Sequence, residues 1–227
     1  MDRQTTTSEL RAQFFPLLLA EGFVRQGDIA RRVLDGGVVH IVEIQHRPRS
    51  AVFQVNLGAH LLALGDVAGG TLPAPQTMRD HDCAWRGSVI AGFRNATDAE
   101  FAYGASAQDA AESVAFLVSE WQRQSQAFFA PFSDYPASFL AAARQAAQDA
   151  ERHPAHLLTW ARVAVLLGEA ALAQSIAQAA LPRVPERATS LRANLEAVLA
   201  GQGLEKTPSS SSTALYQSSS DRSSEPA

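Results

Sequence analysis

Alternation is clearest between Ala51 and Gly58. An extended chain there puts Ala51, Phe53, Val55 and Leu57 on one side and Val52, Gln54 and Asn56 on the other. Two β-branched runs precede it, Ile29 to Leu34 and Val38 to Gln45, joined through Asp35-Gly36, a dipeptide that accepts the positive φ of a tight hairpin. With Arg47-Pro48-Arg49-Ser50 as the second turn, these runs predict a three-stranded antiparallel meander. The period changes elsewhere. Leu10, Phe14, Leu17 and Leu18 recur at helical spacing from Ser8 to Ala20, with Pro16 kinking the helix or resetting its start and Gly22 placed to end it.

Ser106 is an N-cap, with Asp109 in the first turn, and opens a long helix whose stripe is Ala110, Val114, Leu117, Trp121 and Phe128. Gln108, Glu112, Glu120 and Arg123 occupy its polar side. From Asp134 onward four antiparallel helices are predicted, with stops and starts at His153-Pro154, Gly168, Pro182, Pro185 and Gly201. Between these regions, Gly65 to Pro75 has no period and reads as an irregular excursion, while Asp82 to Phe93 fits a strand or a short helix. The expected fold class is therefore α+β, with an antiparallel β-meander packed by helices at 1–132 and an α-helical lobe at 133–203. Residues 204–227 contain too few apolar residues to offset the entropy of ordering and are expected to form a disordered tail.

Composition narrows the function classes. A chain of 227 residues with 46% hydrophobic and 19% charged residues can bury a sizeable core. A net charge of -4 gives no global attraction to nucleic acid or acidic membranes, so neither is an expected partner. One cysteine, Cys83, rules out an internal disulfide framework and fits a reducing compartment, with the cytoplasm as the expected location. No apolar run approaches the roughly 20 residues of a membrane span, and the patch from Phe14 to Ala20 leads into Glu21 without a cleavage signature, so no signal peptide is expected.

The order AEGF, VEIQ, FQVNLG, an irregular loop, HDCAWRGSV and a long Trp-bearing helix resembles the bacterial domain-of-unknown-function family 4304 over about residues 8–130. Its most specific pieces are Gly22-Phe23, the strand end at Gln45, Asn56-Leu57-Gly58 and Cys83-x-Trp85-Arg86. The resemblance implies an α+β fold and brings no activity. Residues at about 154–187 resemble a single tetratricopeptide repeat, with Ala173, Ala180 and Pro185 at its small-residue and proline positions. Trp160 and Ala161 depart from its Leu-Gly pair, and Ala164 and Ala177 from its aromatics. A lone repeat cannot cover its own apolar faces, so it is expected to pack on the preceding helices.

The candidate chemistry lies on the polar side of the meander. Register decides whether Gln54 and Asn56 share that side with Glu43 and Gln45 or with the Arg31 and Arg32 edge. Such a face is either a plain wetted sheet surface or a partner-binding one, with Arg31, Arg47 and Arg49 as anchors for carboxylates of an acidic protein. A second cluster is Cys83, Trp85 and Arg86. Its plainer expectation is a buried thiol, a core indole and an arginine paired with a carboxylate. His40, His46, His60 and His81 match no metal spacing, and no HExxH, paired CxxC, GxSxG, GxGxxG or P-loop pattern occurs, so no metal site or cofactor is expected.

Phe53 is the one aromatic on these strands, which does not fit an RNA-stacking sheet. The reading that follows is a non-enzymatic protein-interaction module, with a toxin-neutralising immunity protein as one concrete form. An alternative is a hydrolase or nuclease whose dispersed His40, Glu43, Gln45 and Arg47 converge only in the fold. A third reading makes the helical lobe the working part and expects residues 1–132 to stay folded without it.

Overall fold

A computed structural model describes residues 3–67, 69–92 and 98–202. The tail expected after Gly203 lies outside these residues. The chain opens with α1 (Arg3–Glu9), a π-helical turn (Leu10–Phe14) and α2 (Phe15–Ala20). Pro16 sits in the first turn of α2, just after the π-helical turn, and the backbone stays right-handed helical through Phe14 and Phe15, so no new helix start is made there. The start expected at Ser8 falls inside α1, because the polar run before it extends the helix without adding to its apolar stripe.

The sheet contains β1 (Val24–Gln26), β2 (Ile29–Leu34), β3 (Val38–Arg47), β4 (Val52–Leu61), β5 (Trp85–Ser88) and β6 (Phe101–Ala102). The order is β1-β2-β3-β4-β5, every pairing is antiparallel, and β6 pairs with the far end of β4. The expected meander is thus its centre, with Gly36 taking φ 73° in the first turn. Residues Trp85 to Ser88 settle as a strand because β4 is long enough to offer them a second edge.

Cross-strand register sorts the side chains. His40, Val42, Ile44 and His46 lie opposite Ala59, Leu57, Val55 and Phe53 and share one face, while Glu43 lies opposite Asn56 and Gln45 opposite Gln54 on the other. The ten-residue strands β3 and β4 run about 33 Å at roughly 3.3 Å per residue, and two helical groups divide the apolar face between them. Leu10, Phe14, Leu18, Trp121 and Phe129 cover Val42, Ile44, Phe53, Val55 and Leu57. At the other end Val38, Ala59 and Leu61 join a cluster with Phe132, Phe139, Leu157, Trp160 and Ile176.

The first group relies on α3 (Ala107–Phe129), capped as expected: Asp109 N–H donates to Ser106 Oγ at 3.2 Å, and Ser106 N–H donates to the Asp109 carboxylate at 3.0 Å. Its buried stripe ends on Phe129, while Phe128 leans against Gly87 of β5. The second group is α4 (Ala137–Gln148), α5 (Pro154–Leu166), α6 (Ala170–Ala180) and α7 (Thr189–Leu199), the four helices expected. The repeat-like stretch folds as the α5 and α6 pair and buries Ala173 and Ala180. Among the described residues no helix is long and apolar enough to cross a membrane.

His40 fastens the two helical groups to the sheet. Arg32 donates to its Nδ1 at 3.0 Å, which leaves Nε2 as the protonated nitrogen, and Nε2 donates to the Phe132 carbonyl at 2.9 Å. The ring stacks on Phe129 with centroids 4.4 Å apart. Burial pushes the imidazole down to about 4; the Phe132 carbonyl opposes that shift and Arg32 adds to it. A second proton would set N–H against N–H. Because the native pKa lies below the usual 6.5, the native state binds fewer protons than the unfolded one between the two values. Stability should therefore fall as pH drops from about 6.5 towards 4, by about 3 kcal/mol from this group. Urea midpoints against pH for the wild type and His40→Gln would show it, the variant losing the His40 share of the slope while His46, His60 and His156, also pushed down by burial, keep theirs.

Candidate functional site

The polar sheet face divides into two parts. Gly69 to Cys83, which takes in part of the Gly65 to Pro75 excursion and runs on past it, folds back over the half nearer Val39 and Ile41, where Met78 and Cys83 pack on those two residues. The approach is close enough to require a bare backbone on β4. A Cβ on Gly58 would stand 2.7 Å from Cys83 Sγ and 3.3 Å from Asp80 Cα.

Charge holds this strap down. Arg31 Nε donates to the Met78 carbonyl at 2.6 Å. Arg79 grips the Glu43 carboxylate through Nε and Nη2, and Asp80 N–H donates to Glu43 Oε2 at 3.4 Å. Arg86 Nη2 donates to Asp80 Oδ2 at 3.0 Å. Arg31, Glu43 and Asp80 are all buried. Burial alone would raise Glu43, but hydrogen bonds from Arg79 and Asp80 and the Arg79 charge hold it below the usual carboxylate range. The carboxylate therefore stays ionised at neutral pH beneath the strap.

The other half is open. Gln45, Gln54 and Asn56 reach solvent, Asn56 Nδ2 donates to Gln45 Oε1 at 3.1 Å, and Ser88 Oγ donates to Asn56 Oδ1 at 3.2 Å. A hydrogen-bonded polar row thus crosses β3, β4 and β5. Arg47 stands at its end in a 3.0 Å ion pair with Glu100, and exposed Arg49 lies in the adjoining turn.

The seven residues read as a docking face therefore fall into two groups. Gln45, Arg47, Arg49, Gln54 and Asn56 belong to the exposed strip, whereas Arg31 and Glu43 lie under the strap and face no solvent. The strap itself, including Arg79 and Asp80, is the feature that sequence reasoning missed. Two signals were available: charge-dense Arg79-Asp80-His81-Asp82, and a glutamate inside an apolar strand, which requires a counter-charge from outside that strand.

In the second cluster, burial pushes the Cys83 thiol up to about 12, with Asp80 and Asp82 adding to the rise. Its hydrogen goes to the Arg79 carbonyl at 3.6 Å, and His81 lies instead beside Asp80 and Asp82, at 3.8 and 3.6 Å. A thiol in that state is a poor nucleophile. Trp85 packs among Phe132, Phe139 and Trp160, and Arg86 has its carboxylate in Asp80.

The four residues of the dispersed acid-base alternative do not meet, since His40 points into the apolar core while Glu43, Gln45 and Arg47 occupy the opposite face. His46 Nδ1 lies 3.0 Å from the Tyr103 hydroxyl, and Ala84 N–H donates to His60 Nδ1 at 3.1 Å. Both rings are largely enclosed. Among the described residues no group of three or more His, Cys, Asp or Glu is arranged to hold a metal ion.

The fold and site define an α+β protein whose sheet has a core on one face and a strapped, half-open polar surface on the other. Compared with protein-family models, curated proteins and solved structures, the chain matches none of them.

Proposed function

We propose that the protein is a non-enzymatic interaction module that docks an acidic protein partner on the exposed strip of its sheet. The observation that carries this reading is the polar row of the Gln45 and Asn56 amides and the Ser88 hydroxyl, ordered by its own hydrogen bonds and ending at Arg47 and Arg49. Amides already fixed in place lose little side-chain entropy when a partner covers them, and arginine offers paired donors to carboxylates. In the immunity-protein form of this reading the partner is a toxin.

The test is affinity capture from the native host with the wild type and with Arg47→Glu/Arg49→Glu. Both positions are exposed and the Arg47 pair with Glu100 is a surface pair worth about 0–1 kcal/mol, so the double variant should fold normally by circular dichroism. A protein recovered by the wild type and lost by the variant supports docking at this strip. Identical recoveries from both would end the reading.

A further inference from the structure

The strap and β5 place two more arginines, Arg79 and Arg86, beside the strip, and they differ from ordinary surface arginines in how they are held. Arg79 and Arg86 have side chains 52% and 55% exposed, yet each is tied inward to a carboxylate that is 5% and 8% exposed, Glu43 and Asp80 respectively. Those carboxylates belong to one network, because Asp80 N–H donates to Glu43. The two guanidinium heads therefore flank a single buried acidic pair.

Donor use is uneven. Arg79 spends Nε and Nη2 on Glu43, and Arg86 spends one Nη2 bond on Asp80, so each half-exposed head keeps further N–H groups for solvent or a ligand. Three arginines, Arg31, Arg79 and Arg86, face two buried carboxylates, and Asp82 brings the cluster near neutrality while its own carboxylate accepts the Arg79 backbone N–H at 2.8 Å. Any attraction for an anion thus comes from donors fixed in position rather than from a net field. Long side chains usually forfeit rotamer entropy when they grip a partner, and here the buried carboxylates have already removed much of it. The anchoring also joins the clamp to the strip: Arg86 lies opposite Gly58, and Ser88, two residues on, begins the polar row.

We infer that Arg79 and Arg86 form a preorganised clamp for a carboxylate side chain of the acidic partner, so that the strap is part of the docking surface. This rests on the strip reading, with the partner's acidic residues lying along both. The probe is the peptide acetyl-(Glu)8-amide, titrated into the full-length wild type while the arginine Nε–Hε signals are followed by NMR, with acetyl-(Gln)8-amide as control.

Saturable shifts of Arg79 and Arg86 with the glutamate peptide alone are the expected result. Arg86→Gln should weaken that binding about tenfold, the loss of one charge-assisted hydrogen bond. Arg86→Lys, which keeps the charge that faces Asp80 but not the planar fork, should fall between the two. Shifts confined to Arg47 and Arg49 would overturn the clamp and leave the strip standing. A titration that moves none of the four arginines would end both.

Discussion

A chain truncated after Phe132 should lose cooperative folding. The helical lobe is not an appendage, because Val38, Ala59, Leu61 and Leu64 from the sheet side share one buried cluster with α4 to α7, and Trp85 and Phe132 complete it. Burying a Val, Leu or Phe side chain contributes about 1.5–3 kcal/mol, so uncovering Val38, Leu61, Leu64, Trp85 and Phe132 together costs on the order of 10 kcal/mol. That is comparable with the whole stability of a domain, about 5–15 kcal/mol. The uncovered surface would also be contiguous, which favours association between chains. Near-ultraviolet circular dichroism and urea unfolding of residues 1–132 and 1–202 would decide it. A sharp transition for 1–132 near the midpoint of the longer chain would show that the sheet supports itself, as the scaffold reading expects.

Replacing Glu43 with Gln should be the most damaging single change on the sheet face. The amide keeps the volume and removes the charge that Arg79 grips and that also attracts Arg31, which is buried beneath the strap. Removing one partner of a buried pair typically costs about 3–5 kcal/mol, because the other charge stays out of water without compensation. Arg79 is half exposed and can turn to solvent, and Arg31 keeps its bond to the Met78 carbonyl, so the loss should lie towards the low end of that range.

The same logic sets the direction with pH. A carboxylate held below its usual range contributes stability above its unfolded pKa, and that contribution is lost as pH falls towards the folded value. The Glu43 loss therefore begins only below about 4.5, where that of His40 is nearly complete. Urea unfolding of Glu43→Gln at pH 7, with amide hydrogen exchange across residues 71–83, should show lower stability and faster exchange in the strap. Unchanged protection there would mean that Met78 and Cys83 hold the strap without the ion pair.

Short-range pattern accounts for the elements that were legible in the sequence. Phe53 and Val55 against Gln54 and Asn56 fixed the two faces, because a strand's period of two leaves one assignment once one side is oily. Asp35-Gly36 marked the hairpin, and Ser106 with Asp109 marked the start of the long helix, since each meets a backbone need within a few residues. Gln45, Gln54 and Asn56 follow from the same alternation, and Arg47 and Arg49 from the turn beside it. The edge strand β1 escaped notice because three residues are too few to show a period. Phe129 replaced Phe128 in the buried stripe because Gly87 offers Phe128 a surface of its own.

The sequence by itself thus determined the three strands of the meander, the long helix and the four helices of the lobe, where they turn, and which side of the meander is polar. Only the tertiary structure decided that Gly69 to Cys83 folds onto that side, that Arg31 and Glu43 disappear beneath it, and that the helical lobe completes the core of the sheet. The reason lies in the range of the forces. Periodicity and capping act within a few residues along the chain. The strap is held by Glu43 with Arg79 and by Gly58 with Cys83, pairs that are distant in sequence and meet only after the strands have paired.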